Sequence, residues 1–402
     1  MSEWKRCTVG DVCEVFDGPH ATPPQSNDGP IYLGIPSIRS DGSIDYENSK
    51  RISYENYPKW TKRVTPQEND VVFSYEANLE SYARIPAGFE GCLGRRMAIM
   101  RPDPSAIDAR FLYYYTQSPA WKAVIASRTV LGATVNRIPI ATFPEFPLRL
   151  PSLPAQQRIA GMLSAYDKLI ENNRRQIKLL EEAAQHLYKE WFVDLRFPGH
   201  ETTPIHNGIP EGWKRTTVGQ SSSLVSRGVT PAYADDSNEL VLGQRCVRNN
   251  LIDLSFARHH KPKKPNEKWL KKWDVLINST GTGSLGRTAQ FWLDNNNVVV
   301  DSHITIIRAQ QREVAAYLGQ WAFSNEAMLE ALHTGSTGQT ELPRDRVANC
   351  HILIPDNDLL DPFYTLIEPM TMRIVAAQQQ IVAAREARDR LLPKLMSGEI
   401  EV

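Results

Sequence analysis

This chain of 402 residues has no excess of either charge: 46 Lys and Arg balance 46 Asp and Glu. Bulk electrostatics therefore announce neither a nucleic acid nor a membrane surface, and any such surface must come from local clustering. Cysteine is scarce. Cys7, Cys13, Cys92, Cys246 and Cys350 are odd in number and no two share a Cys-x-x-Cys spacing. That argues against a disulfide framework or a zinc site and favours reduced thiols in a cytoplasm. No apolar run reaches the ~18 residues of a membrane span. The start, Met1-Ser2-Glu3-Trp4-Lys5-Arg6, lacks the apolar core of a signal peptide.

The usual catalytic signatures are absent too. There is no Asn-Pro-Pro-Tyr motif for amino-methyl transfer and no His-Glu-x-x-His pair for a zinc hydrolase. A Pro-Asp…Glu-x-Lys nuclease site would need Glu-x-Lys after Pro102-Asp103, but Glu3-Trp4-Lys5 precedes it. One glycine-rich stretch, Gly281 to Thr288, satisfies Gly-x-Gly-x-x-Gly through Gly281, Gly283 and Gly286. A nucleotide-dependent enzyme built on this loop is the alternative of a different class. Against it, Arg287 stands where a P-loop has lysine. The sequence that follows, Ala289 to Leu293, reads as a strand, whereas phosphate binding needs a helix N-terminus. The aligned Ser74 to Asn78 has no such glycines.

What is present is a duplication. Trp4 to Gly10 recurs as Trp213 to Gly219, Leu33-Gly34 as Leu242-Gly243, and Lys59-Trp60 as Lys268-Trp269, all at one offset. Asp70-Val71-Val72-Phe73 then answers Asp274-Val275-Leu276-Ile277, and Phe111-Leu112 answers Tyr317-Leu318. Gly132-Ala133-Thr134 answers Gly335-Ser336-Thr337, and Leu148 to Pro151 answers Ile352 to Pro355. Correspondences in one order along the chain mark a repeated unit of roughly two hundred residues. Each unit begins with strand-like runs, such as Asp70–Ser74, Met97–Arg101 and Val298–Arg308. Helical stretches follow at Phe111–Val124 and Val314–Leu332.

Each unit ends in a long heptad seam. The first runs Ile159, Leu163, Tyr166, Ile170, Asn173, Ile177, Leu180, Ala184, Leu187, Trp191. The second runs Phe363, Ile367, Met370, Ile374, Ala377, Ile381, Ala384, Arg388, Leu391, Leu395. Pro154 and Pro198-Gly199 bracket the first. Asp361-Pro362 reads as the N-cap and first residue of the second, and Ser397-Gly398 as its stop. Two such seams in one chain predict an antiparallel pair, and about 36 helical residues rise ~54 Å. Asn173 and Arg388 interrupt the seams. Either fixes register between the helices or faces solvent or a partner protein.

Local charge reappears at matched places. Arg258 to Lys272 holds seven Lys and Arg against one acid, Glu267, and includes Lys261, Lys263, Lys264, Lys268, Lys271 and Lys272. Its counterpart, Lys50 to Arg63, has five against Glu55 and includes Lys59, Lys62 and Arg63. Cations near phosphates supply affinity without sequence preference. Arginine suits guanine and Asn or Gln suits adenine. The candidates for base reading are Arg39, Arg95, Arg96, Asn136 and Arg137 in the first unit. In the second they are Gln244, Arg245, Arg248, Arg287, His303 and Gln339.

The layout resembles the specificity subunits of type I restriction–modification systems over the whole chain. Leu150 to Ile159 is similar to that family's entry into its central helix, and Leu187 to Asp194 to its exit. Gly208 to Trp213 resembles the start of a second target domain, and Arg390 to Ile400 the C-terminal signature. The resemblance implies a non-catalytic DNA-specificity subunit of mixed α/β (α+β) fold. It implies target recognition domains at 1–152 and 199–356, with spacer helices at 153–198 and 357–402. Each domain would read half of a bipartite, asymmetric double-stranded site while the helices set the gap. Two methyltransferase subunits would dock, carrying S-adenosylmethionine. Translocating nuclease subunits, where the system has them, would carry ATP and Mg. A related methylation–cleavage system with another partner arrangement is the neighbouring reading.

Overall fold

The computed structural model describes residues 4–132, 134–262, 268–281, 283–294, 297–335 and 340–402. It forms two compact units, one of residues 1–171 with 381–402 and one of residues 172–380. No helix among the described residues is long and apolar enough to cross a membrane.

The two units share one topology. In the first, a four-stranded antiparallel sheet runs Cys13–Asp17, Met97–Pro102, Val71–Ser74, Tyr82–Arg84. In the second it runs Ser222–Arg227, Ile304–Ala309, Val275–Asn278, Thr288–Gln290. Each has a parallel pair beside it: Ser26–Leu33 with Gly91–Leu93, and Leu240–Leu242 with Val298–Val300. In each, the first strand closes on the last: Lys5–Thr8 on Pro147–Leu150, and Lys214–Thr217 on His351–Ile354. The β-branched and aromatic runs form these strands because both faces are covered: Val71, Val72 and Phe73 are fully buried, as are Leu276 and Ile277.

A buried ion pair is repeated with the sheet. Arg101 grips Asp70 through Nε (2.9 Å) and Nη2 (2.8 Å), and Arg308 grips Asp274 through the same atoms (2.8 and 2.6 Å). Each carboxylate also accepts the amide three residues before it, Gln67 and Lys271, both at 2.8 Å. Each arginine reaches on to a loop carbonyl, Thr65 at 2.9 Å and Trp269 at 2.8 Å. The clamp thus ties the end of each Lys/Trp segment to the sheet.

Two expected helices are each broken in two. Phe111–Val124 is realised as Ala109–Tyr115 and Pro119–Arg128, because Ser118 caps the second piece and Pro119 takes its first position. Val314–Leu332 becomes Arg312–Ser324 and Glu326–Ala331, interrupted at Asn325. The single strand expected at Val298–Arg308 is two, turning at Asp301.

The long helices are Leu153–Tyr188 and Asn357–Ser397. The second starts four residues before the expected cap at Asp361, so Pro362 lies inside it. It stops at Gly398, whose φ of +75° suits glycine. In the first unit Ile159, Ala160 and Leu163 join Leu392, Leu395 and Met396 in one core with Phe111, Leu148 and Leu150. The segments run antiparallel there: Arg388 pairs with Asp167 (2.6 Å) and Arg158 donates to the Val402 carbonyl (2.7 Å). In the second unit Arg373 donates to Gln176 (3.2 Å), and the Trp191 and Phe363 rings pack at a tilt, 5.9 Å between centroids.

Along the seam, Ile159, Leu163, Ile170, Asn173, Ile177, Ile367, Ile374, Ile381 and Leu395 are buried, and Leu180 is half-buried. The strict heptad fails at its ends. Leu187 and Leu391 are only half-buried, and Tyr188 and Leu392 are buried in their place. These positions lie eight α-helical turns, ~29 residues, beyond Ile159 and Phe363, whereas eight heptad half-steps give ~28. Burial here follows the 3.6-residue period. A π-helical turn at Lys189–Val193 then buries Trp191 and Phe192 together against Trp213, Tyr317 and Phe363.

The units differ where their helices meet their domains. In the first, Arg388 pairs with Asp167, which also accepts from the Tyr114 hydroxyl. The repeat puts Ala184, Thr371 and Gln320 at these positions in the second unit, and there they line a small cavity with Glu181 and Trp292. The Glu181 Oε1 and Gln320 Oε1 atoms are buried without a hydrogen-bond partner. Burial, then the neighbouring Glu182, pushes the Glu181 carboxyl up to about 7.

Removing a clamp carboxylate leaves a partly buried guanidinium unpaired. Asp70→Ala or Asp274→Ala should each lower unfolding free energy by about 3–5 kcal/mol, read by chemical denaturation of the partner-bound chain. An unchanged midpoint would refute the clamp's role. Glu181 gives a pH signature. With its folded pKa raised, its stability contribution is intact below its ordinary 4.5 and lost as pH rises through about 7. Glu181→Gln should therefore flatten that loss in melting curves taken from pH 5 to 8.

Candidate nucleic-acid interface

The first basic segment is anchored by a buried aromatic, whereas Trp269, its counterpart in the second, is half-buried. Lys59 lies on the short turn Tyr57–Trp60, whose Trp60 is buried, and Lys62 and Arg63 follow, exposed. Arg63 pairs with Asp17 at 2.7 Å. In the second unit Lys261, Lys268 and Lys271 are exposed and Lys272 is half-buried, pairing with Asp294 at 3.3 Å. The Lys268 ammonium donates to Ser226 Oγ and the Arg227 carbonyl, both at 2.7 Å, so it also ties its loop to the sheet. Lys263, Lys264 and Gln339 lie outside the described residues.

A second group of candidates surrounds the loop leaving the central strand of each sheet. Tyr75 N donates to the Arg96 carbonyl (3.1 Å), as Ser279 N donates to that of His303 (2.8 Å). Ile138 N donates to the Tyr75 carbonyl and Leu342 N to that of Ser279, both at 2.8 Å. Val130 pairs in both directions with Arg137, and Thr334 with Glu341. The described ends of the Gly132 and Gly335 segments therefore pair in the same way in both units and meet the same strand end. This brings Arg95, Arg96, Asn136 and Arg137 together in the first unit. In the second it brings His303 to Thr280, and Gln244 joins them.

The side chains are held by specific partners. Arg96 Nε lies 3.0 Å from Glu76 Oε2. Ala77 N donates to the Asn136 carbonyl at 3.1 Å. The Tyr75 hydroxyl donates to the Arg95 carbonyl (2.8 Å), and burial pushes that phenol up to about 12, so it stays a neutral donor. In the second unit Gln244 Nε2 donates to Thr280 Oγ1 (2.9 Å), which lies 2.9 Å from His303 Nδ1. Arg227 Nη2 binds Glu341 (2.6 Å) and the Leu342 carbonyl (2.8 Å).

The remaining candidates sit elsewhere. Arg39 is exposed and paired with Asp45 at 2.9 Å. Arg248, its counterpart, is also exposed. The Arg245 guanidinium lies 4.6 Å over the Phe256 ring. Arg287 is half-buried in the glycine loop. That loop passes directly into strand Thr288–Gln290, so no helix N-terminus is there to hold a phosphate. Among the described residues no cluster of His, Cys, Asp or Glu could hold a metal ion. The cysteines are free thiols, and burial pushes Cys13 and Cys92 up to about 12.

Sequence reasoning missed Glu76, Thr280, Asp17, Arg227 and Glu341. It sought clustered cations and amides, and neither the acidic and hydroxyl partners nor the isolated Arg227 carries that signal. Extending the repeat from Asp70 to Phe73 would have set Glu76 opposite Thr280.

Known proteins resemble this chain. Residues 1–182 match the family model described as the type I restriction modification DNA specificity domain. The chain is 24% identical over 381 residues to the type I restriction enzyme MjaIX specificity subunit of Methanocaldococcus jannaschii, covering 90% of this chain and 83% of that protein. It is 20% identical over 323 residues to the StySPI specificity subunit of Salmonella potsdam, covering 75% and 67%. The S subunit of a type I restriction–modification system from M. genitalium has the same fold, with a TM-score of 0.63 at 14% identity, covering 98% and 96%.

The basic segments give a measurable salt dependence. Lys59→Ala with Lys62→Ala should weaken DNA binding by the assembled complex equally on cognate and unrelated duplexes. The slope of log K against log salt should fall by about 0.9 per lost phosphate contact. An unchanged slope would remove these lysines from the interface.

Proposed function

We propose that this chain is a type I restriction–modification specificity subunit, a reading supported by the match of residues 1–182 to the DNA specificity domain and by its similarity to such subunits, and that each of its two units reads one half of a bipartite, asymmetric site in double-stranded DNA. The observation that carries the reading is one backbone scaffold present twice with different polar side chains on its outward loops. Two like hands with unlike fingers suit an asymmetric target. A duplicated structural domain without a shared role gives no reason for the segment-end and strand-end hydrogen bonds to be kept so closely while the exposed residues diverge.

In this reading the helices Leu153–Tyr188 and Asn357–Ser397 form a coiled-coil-like spacer that sets the unspecified gap, because a helix fixes distance at 1.5 Å per residue. Two methyltransferase subunits dock on the scaffold and bring S-adenosylmethionine. Translocating nuclease subunits, where the system has them, bring ATP and Mg. The chain itself positions DNA and carries no catalysis, and it works where its DNA is, in the cytoplasm. A nucleotide-dependent activity of the Gly281 to Thr288 loop is disfavoured by the strand that follows it.

The test is co-expression with the neighbouring methylation subunit and genome-wide mapping of modified adenines. A two-part motif should vanish when this chain is deleted, and exchange of residues 1–150 for those of a relative should change only one half. Methylated motifs that survive the deletion would overturn the reading. The identity of the neighbouring genes separates this system from related methylation–cleavage systems.

A further inference from the structure

The scaffold equivalence fixes which side chains answer each other. Position 96 answers 303 and position 76 answers 280, because the amides of Tyr75 and Ser279 donate to the carbonyls of 96 and 303 in turn. The sheet register sets Asp17 against Arg227 and the segment-end pairing sets Arg137 against Glu341 in the same way. Buried positions beside them are chemically alike, as with Asp70 and Arg101 against Asp274 and Arg308. The outward positions are not. Glu76 with Arg96 becomes Thr280 with His303, while Asp17, paired with Arg63 at 2.7 Å, is answered by Arg227, paired with Glu341 at 2.6 Å. Independent surface drift would break a partnership. At the 76/96 site both partners change, and the site remains a closely paired couple in both units, at 3.0 and 2.9 Å.

We propose that the couples Glu76–Arg96 and Thr280–His303 are the base-reading pair of their respective units, each setting the identity of one base pair in its half-site; this rests on the DNA-reading function proposed above. The chemistry differs between them. A guanidinium matches the O6 and N7 acceptors of guanine, and a carboxylate accepts from the N4 amino group of cytosine. Glu76 with Arg96 therefore reads a G·C pair across both bases. The ion pair is made through the buried Arg96 Nε at 3.0 Å from Glu76 Oε2, without a hydrogen bond at that nitrogen, and keeps the two side chains side by side. In the second unit Gln244 donates to Thr280 Oγ1, and that hydroxyl lies 2.9 Å from His303 Nδ1, so the ring is engaged through Nδ1. That leaves Nε2 of the exposed imidazole to meet the base, a single contact with no fork. It reads one polar group on a base edge and tolerates more sequences than the guanidinium. The half-site read by the second unit is thus less stringent at this position.

The experiment uses the chain assembled with its methylation subunits and measures methylation rates on duplexes that differ by single base pairs. Arg96→Lys keeps the charge and the partner but loses the fork. It should relax discrimination at one G·C position of one half-site by about 10- to 100-fold, leaving the other half-site unchanged. His303→Ala should relax one position in the other half only. Glu76→Thr with Arg96→His should give the first half-site the second unit's preference at that position. Discrimination unchanged in Arg96→Lys and His303→Ala overturns the assignment. So does equal weakening on every sequence, which marks a phosphate contact. If the double variant loses all methylation, Arg96→Lys alone decides. A methylation motif that depends on this chain but ignores all these variants refutes the couples while leaving the specificity function standing. A motif independent of the chain refutes both.

Discussion

In each unit a single buried carboxylate, Asp70 or Asp274, holds three things at once. It closes a turn through a backbone amide, it pairs with an arginine on the neighbouring strand, and through that arginine it secures the loop that follows the lysine and tryptophan segment. A charge buried this deeply is tolerated only when its lone pairs are filled. The geometry is consequently narrow, and the sheet, the basic segment and the strand ends beyond it are placed by one constraint. The presence of the same clamp in both copies explains how they diverge outside and remain superposable inside.

The long helices are as much part of the domains as of a spacer. In the first unit both helix ends contribute to the core that holds Phe111 and Leu148. In the second, the π-helical turn delivers Trp191 and Phe192 into an aromatic cluster with Tyr317 and Phe363. A helix rooted in a core transmits position, because packed interiors resist deformation. The first unit adds the Arg388–Asp167–Tyr114 group, whereas the second has a small cavity at the matching place, so the two joints are chemically unlike.

In the proposed DNA-reading role, affinity and discrimination have separate sources on the exposed surface. Lys59, Lys62 and Lys271 present flexible charge with few fixed partners, which suits phosphates. Glu76, Arg96, Thr280 and His303 are held by hydrogen bonds and ion pairs before any ligand arrives. Pre-organised donors and acceptors cost little to align, and a wrong base leaves them unpaired.

The sequence by itself determined the duplication, the two long helices and the segments rich in cations. Each of these is written in local order: a repeated register, an apolar period, a run of like charges. It did not place the ends of the heptad seam, since a 3.5-residue and a 3.6-residue period separate only after about eight turns. It named Arg96, Gln244 and His303 as readers without their partners. Only the tertiary structure decided that Arg96 meets Glu76 and that Gln244, Thr280 and His303 form one chain of hydrogen bonds. The physical reason is strand pairing: the register of the antiparallel sheet joins residues tens of positions apart, and no local pattern of residues encodes which side chains then face each other.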